Sequence, residues 1–423
     1  MVLPWRTIVK ACARSRSTMS LKGYDEASLR PAAADDDAAA SDSDWDWGEV
    51  LLDRAAYMAD KENHTTADCQ FTRDLDGKQI NLRVTLCLAQ PPRVSHFCCL
   101  AHCPADHGKE EEEEDTPRLF VGEPWMIATD GELALFTLCH GDDRCSRTRI
   151  GNHDYFVYYS APSPSGKPRL TRLPQLSDGM LPTMGTLCFC ASDIGIMRYC
   201  RSNNEDDACD AYRIAALAYD PFHPGHSGYY LCTYDSEASF WSRRPAASPQ
   251  PPPPDDYSCD MVIAIDGVMG WVDLWRGMLL CDVLADDTPC TPLCYLPLPK
   301  PRQPRNHLPL GTDMAYHFRD IVSVKDSGII RFVDLQVHAE PGRRSQTPSG
   351  WTVVTWTLEG LDGGLGLDDL RFKEEYQLSS REISNYRLPQ SLFVCKPILS
   401  SHEDGVLYLL TNASSQDVEG DCC

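Results

Sequence analysis

"GWVDLWRGMLLCDVL", Gly270 to Leu284, packs two tryptophans, an arginine, a cysteine and two aspartates into a stretch whose apolar and polar residues alternate. These residue types would suit a catalytic constellation, but their alternation argues for a hairpin. In an extended chain successive side chains point to opposite faces, so Trp271, Asp273 and Trp275 form one set and Val272 and Leu274 the other. One set is expected to face the core and the other a neighbouring sheet or solvent. Gly277 is expected to permit the turn into "MLLCDVL", with Arg276 bridging to Asp282 across the hairpin.

The same unit, a short alternating strand, a turn and a second strand ending near an aromatic, recurs along the chain. Examples are "QINLRVTLCLA", "MIATDGELALFTLC", "HDYFVYYSA", "GYYLCTYDSEASFW", "IIRFVDLQV", "WTVVTWTLEG" and "GVLYLLTN". Each is rich in β-branched and aromatic residues, and turn pairs such as Asp130-Gly131 mark hairpins. Helical periodicity is nearly absent; "DDACDAYRIAALAY" (Asp206 to Tyr219) reads as a short helix or a strand. Units of this kind at a loose period of roughly 45 to 50 residues are what a β-propeller requires. The fold class expected is therefore all-β, a propeller of about six or seven blades, with packed β-sandwiches as the alternative.

Three compositional breaks organise the 423 residues: "PAAADDDAAASDSD" (Pro31 to Asp44), "KEEEEED" (Lys109 to Asp115) and "RRPAASPQPPPPDD" (Arg243 to Asp256). Such segments build no core and behave as connectors. The division expected is a disordered tail over 1–44, a single propeller-like domain over 45–415 with long loops at 104–118 and 242–258, and a flexible tail over 416–423. The proline tract is read as a loop rather than a boundary, because similar units flank it.

A formal charge of −23 repels phosphate backbones and anionic lipid, so neither nucleic acid nor membrane is expected as a partner. No window offers about twenty consecutive apolar residues. Twenty cysteines in a long chain whose start lacks an apolar signal core read as reduced, mostly buried thiols. That places the protein inside the cell, cytoplasmic or nuclear, and gives the sequons at Asn63 and Asn412 no role. Arg6, Lys10, Arg14, Arg16 and Lys22 precede the first acidic residue, Asp25, a composition also found in transit peptides for mitochondria or chloroplasts.

"WVDLWRGMLLCDVL" followed by "CYLPLPKP" (Cys294 to Pro301) resembles the central signature of the plant family catalogued as domain of unknown function 1618, much expanded in grasses. "EVLLDRAAYMAD" with "NHTTAD", "PPRVSHFCCLAHCP", "YYLCTYDSEASFW" and "FRDIVSVKDSGIIRFVDLQ" extend the resemblance along most of the chain from Trp47. "YYLCTYDSEASFW", which ends at Trp241, is also similar to the blade motif of kelch-like and F-box-associated propellers, where a serine and an acidic residue turn the chain before a tryptophan. The resemblance implies no activity, catalytic residue or cofactor. It marks Trp241, Trp271, Asp273, Trp275, Arg276, Gly277 and Asp282 as motif residues with a structural role.

Other constellations are weaker. "HFCCLAHC" holds His96, Cys98, Cys99, His102 and Cys103, the side chains zinc prefers, but no partner pair at C-x-x-C or H-x-x-x-H spacing accompanies it. Strand alternation would also send Cys98 and Cys99 to opposite faces, so no metal is expected. "LDGGLGLDD" (Leu361 to Asp369) does not join a strand to a helix as a dinucleotide site demands, and "HPGHSG" lacks the H-E-x-x-H spacing. The function expected is a non-catalytic scaffold, without cofactor, that presents a rigid body and variable loops to a protein partner. The alternatives are a propeller enzyme with an unrecognised site, or an F-box-like substrate adaptor, although residues 1–44 lack the periodicity of an F-box.

Overall fold

A computed structural model describes residues 6–11, 49–73, 77–103, 119–120, 123–139, 153–160, 167–175, 191–200, 211–219, 228–285, 290–302, 314–324, 327–339, 348–358, 370–383 and 393–412. Among these, almost all regular structure is β-strand, and no helix is long and apolar enough to cross a membrane. The loop expected at 104–118, the tail at 416–423 and the run Leu361 to Asp369 lie outside the described residues. Of the tail expected over 1–44, residues 6–11 form a strand, β1 (Arg6–Ala11).

The chain divides into two compact units. One comprises Arg14–Ser248 with Val283–Thr291, and the other Met1–Ala13, Pro249–Asp282 and Pro292–Cys423. The main division, between Ser248 and Pro249, falls inside the proline tract read from sequence as a loop. That tract is ordered throughout: Ala246 bridges Thr291 in the first unit, and Gln250 bridges Cys294 in the second.

The first sheet of the first unit contains β2 (Leu51–Leu52), β3 (Tyr57–Met58), β4 (Ala67–Thr72), β5 (Gln79–Cys87) and β6 (Val94–His102). It runs β2-β6-β5-β4, with β2 and β3 both parallel to β6. The other two are antiparallel meanders of consecutive strands: β7 (Trp125–Asp130), β8 (Leu133–Cys139), β9 (His153–Tyr159) and β10 (Arg169–Arg172), then β11 (Ile194–Arg198), β12 (Tyr212–Tyr219), β13 (Tyr229–Asp235) and β14 (Phe240–Pro245). The segment left open between helix and strand is thus the strand β12 over its last eight residues; β-branched Ile214 and the small alanines around Leu217 pack tightly in the middle of a sheet.

The second unit repeats the meander in β15 (Met261–Ile265), β16 (Val268–Asp273), β17 (Gly277–Asp282) and β18 (Cys294–Pro297), and in β19 (Arg319–Val324), β20 (Ile329–Ala339), β21 (Pro348–Leu358) and β22 (Lys373–Ser379). A short helix, α1 (Ser380–Ile383), follows β22. The last sheet joins β23 (Phe393–Leu399) and β24 (Val406–Asn412) to β1, which lies parallel to β24.

Within each unit the sheets stack face to face in order. In the first, Ile80, Leu82, Val84 and Phe97 of the first sheet pack on Phe136, Leu138, Phe156 and Tyr158 of the second. The opposite face of that second sheet, carrying Leu133, Leu135 and Val157, packs on Ile196, Ile214, Ala216 and Cys232 of the third. In the second unit, Val272, Met278 and Leu280 meet Phe332, Val354 and Trp356, while Val333, Leu335 and Val353 on the reverse meet Val394, Leu407 and Leu409. A strand covered on both faces has no polar side to present, and "LALFTL" of β8 is buried at every position. The exposed edge strand β22 instead carries Lys373, Glu374 and Glu375, charges that deter pairing with another chain.

Candidate functional site

The β16–β17 hairpin carries most of the motif residues. All six residues of β16 are buried, so of the two expectations for its second face, a covering neighbour or solvent, solvent is excluded. Trp271 is 1% exposed, whereas Trp275 lies beyond the end of β16, in the turn, and is only partly buried. The strand simply ends two residues earlier than alternation suggested, because Asp273 caps it.

One Asp273 carboxylate oxygen, Oδ1, accepts from the backbone N–H groups of Trp275 (2.9 Å) and Arg276 (3.1 Å). The other, Oδ2, accepts from the Ser258 N–H (3.0 Å) and from Arg276 Nη1 (2.9 Å). Both oxygens are therefore engaged twice, which leaves this buried carboxylate fully solvated by protein. Arg276 completes a fork by donating through Nε to Asp256 at 2.8 Å and through Nη2 to the same carboxylate. The proline tract is thus clamped onto the hairpin by Asp256, Tyr257 and Ser258, with the Tyr257 hydroxyl donating to the Trp271 carbonyl.

Two sequence expectations at this turn are corrected. Arg276 pairs with Asp273 and Asp256, not Asp282. Asp282 sits opposite Val268 at the far end of β17, five residues and roughly 17 Å of strand from Gly277, which sits opposite Asp273. Gly277 does not serve as a flexible turn residue either, for it already belongs to β17. A Cβ there would lie 2.6 Å from the Leu296 carbonyl oxygen and from the Tyr295 ring, so close approach of β18 excludes a side chain.

Buried or half-buried arginine–aspartate pairs recur in other sheets: Arg172 with Asp154 (2.7 Å), Arg213 with Asp235 (2.6 Å) and Arg319 with Asp334 (2.8 Å). Burial raises the Asp235 pKa, but the Arg213 guanidinium, the Tyr199 hydroxyl and the Ala238 N–H outweigh it and hold the group at about 2. Asp235 also accepts from Glu237 and Ala238 in the β13–β14 turn. Trp241, the last motif residue, is buried in β14 and donates its indole N–H to the Pro174 carbonyl at 2.8 Å.

A different constellation comes together on the first sheet. In β6, His96 and Cys98 share one face while Cys99 turns to the opposite face and joins the core with Phe97. Opposite His96 in β5 stands Cys87, and the Cys87 and Cys98 sulfurs are 3.7 Å apart. One ligand atom from each of Cys87, His96 and Cys98 lies within 4.8 Å of the others. The Cys87 thiol is pulled down, chiefly by the S–H that Cys98 donates to it, against burial and with help from His96 and the Lys61 charge. The same bond and burial push Cys98 up. The Tyr57 ring from β3 stands edge-on to His96 at 4.8 Å. His102 is elsewhere, beside Asn81. Spacing along "HFCCLAHC" missed Cys87 because it is nine residues upstream and reaches the site only through strand pairing.

The other cysteines are mixed. Cys69, Cys103, Cys232 and Cys281 are among the free thiols, whereas Cys200 is disulfide-bonded, a departure from the fully reduced set expected. Between the first and second sheets, a cavity lined by Arg54, Val84, Phe97 and Met126 has room for about 10 Å³, one water molecule at most.

Together these features define an all-β protein of stacked, separate sheets whose conspicuous charged residues are engaged in tying turns and sheets together. Over residues 271–408, from Trp271 of the hairpin onward, the chain is similar to the family described as "Protein of unknown function (DUF1618)". No curated protein matches the chain. Among solved structures, a mutant of Trypanosoma rangeli sialidase displaying trans-sialidase activity aligns over 85% of this chain and 52% of its own, at 10% identity and a TM-score of 0.30. The chain thus spans about half the length of that structure.

Proposed function

We propose that the protein is a non-catalytic, propeller-like scaffold that binds a protein partner inside the cell, in the cytoplasm or nucleus. The observation that carries this reading is the use made of the motif residues. Asp273 and Arg276 satisfy a turn and a loop, and Arg319 holds Asp334, so these charged groups are engaged in packing. Sheets stacked three deep, with middle sheets buried on both faces, support blades over a two-layer sandwich. The Asp235 turn leading into Trp241 supports the kelch-like comparison. A charge of −23 favours a partner with a basic surface over nucleic acid or anionic lipid.

The test is proximity crosslinking of the full chain in cells, followed by reconstitution with the purified candidate. A partner that binds the folded chain with defined stoichiometry, in a salt-sensitive manner, is expected. A folded chain that binds no recovered candidate, or that turns over a substrate from a broad hydrolase and transferase panel, would overturn the reading.

A further inference from the structure

We propose that Cys87, His96 and Cys98 form a binding site for a borderline-soft divalent metal ion of the zinc class, held by two thiolates and one imidazole on the β5–β6 strand pair. The site stands apart from the scaffold reading, and either can fail without the other.

Three observations point to it. The first is the ligand set: two cysteines and a histidine suit zinc, and oxygen-seeking ions such as magnesium are disfavoured. The second is spacing. Two thiolates each about 2.3 Å from one tetrahedral ion must lie roughly 3.8 Å from each other, and the Cys87 and Cys98 sulfurs are 3.7 Å apart. A disulfide would need them at about 2.05 Å, so the separation that now holds an S–H···S bond also fits a shared ion. The third is placement. His96 and Cys98 are two apart on one strand and Cys87 is directly opposite His96, so paired backbone fixes all three donors on one face before any ion arrives. The three ligand atoms, all within 4.8 Å of one another, must draw together to close the site.

A thiolate and not a thiol is the ligand. Binding displaces the remaining thiol protons into water, so affinity rises with pH. Three protein donors leave the fourth tetrahedral position to water or another small ligand. Two thiolates balance the charge of a divalent ion.

The experiment is anaerobic titration of the reduced, chelator-stripped full chain with Co(II), followed by displacement with Zn(II). The wild type is expected to bind one Co(II) with a thiolate-to-cobalt charge-transfer band and a tetrahedral visible band, both erased by Zn(II). Cys87→Ser and Cys98→Ser should each cut the intensity of the charge-transfer band, one thiolate remaining, and weaken binding by more than the roughly 10- to 100-fold typical for loss of an outer-shell partner. His96→Gln should keep that band and shift the visible one. His102→Gln and Cys103→Ser, in the same sequence run, should bind as the wild type does. A charge-transfer band of wild-type intensity in Cys87→Ser, or a visible band left unmoved in His96→Gln, would overturn the proposal, as would a folded wild type without a charge-transfer band. If Cys98→Ser unfolds, the other two variants decide. A Cys87–Cys98 disulfide in protein isolated under reducing conditions would also overturn it.

Discussion

The Arg319 guanidinium lies 5.1 Å from the centre of the Trp275 ring and donates to the Leu274 carbonyl of the same turn. It is also 5.1 Å from the Phe332 ring, and its Nε holds Asp334. One buried cation therefore ties the β16–β17 turn to the next sheet and is shielded on two sides by aromatic faces.

Removing only one partner of the Arg319–Asp334 pair should be severe. Arg319→Met leaves the Asp334 carboxylate, 5% exposed, without its cation, and should cost about 3–5 kcal/mol. The double variant Arg319→Met with Asp334→Leu should recover much of that loss, because an apolar pair has no desolvation penalty. Urea midpoints of the two singles and the double form the cycle that checks this. A double variant as unstable as the sum of the singles would count against it.

The two tryptophans of the hairpin should differ. Trp271→Ala removes a ring that is 1% exposed, and should cost about 3–5 kcal/mol. Trp275→Ala removes a partly buried ring and its contact with Arg319, so its effect should be smaller, with about 0.5–2 kcal/mol of coupling to Arg319. Thermal melts of the two variants rank them directly.

At the turn itself, Asp273 should matter more than Arg276. Asp273→Ala removes the side-chain acceptor of the Ser258, Trp275 and Arg276 N–H groups, of which Arg276 keeps a backbone partner, the Asp273 carbonyl; a hydrogen bond lost in this way costs about 0.5–1.5 kcal/mol, more where the N–H is buried. Arg276→Ala leaves all three bonds standing. Its loss should show instead as faster proteolysis of the proline tract, which Asp256 no longer anchors.

Acid should act on Asp235. Its pKa in the folded protein is about 2, against about 3.9 unfolded. A depressed carboxylate contributes stability that is complete above the unfolded value and is lost as pH falls from about 4 toward 2. The stability gap between wild type and Asp235→Asn should therefore narrow across that window, as read from denaturant midpoints at each pH. A constant gap would mean that the carboxylate is not held by Arg213.

Much of the fold was legible from period-two patterning and turn residues, since these are local properties of the chain. Strands such as β8, β13 and β20 fall where the patterning puts them. Sequence could not decide whether the second face of β16, which carries Met269 and Trp271, is buried or exposed, because what covers a face is not a local property of the chain. The partner of Arg276 was missed for a related reason: Asp256 lies in a proline-rich stretch whose composition suggests a connector, yet its residues are held by tertiary bonds. The Cys87–His96–Cys98 cluster was half visible. The strand period separated Cys98 from Cys99 correctly, but the third member depends on which strand pairs with β6 and in what register.

That register makes neighbouring, chemically identical thiols into separate clocks. Cys87 is half-buried and depressed, Cys98 is buried beside it, and Cys99 lies in the hydrophobic interior with its pKa pushed up by burial. A thiol-specific reagent should meet Cys87 first. Cys98 should follow at the rate at which the β5–β6 pair opens locally, and Cys99 only as fast as the whole sheet stack comes apart. Labelling kinetics at these three sulfurs would therefore time local opening and global unfolding in one molecule, without any inserted probe.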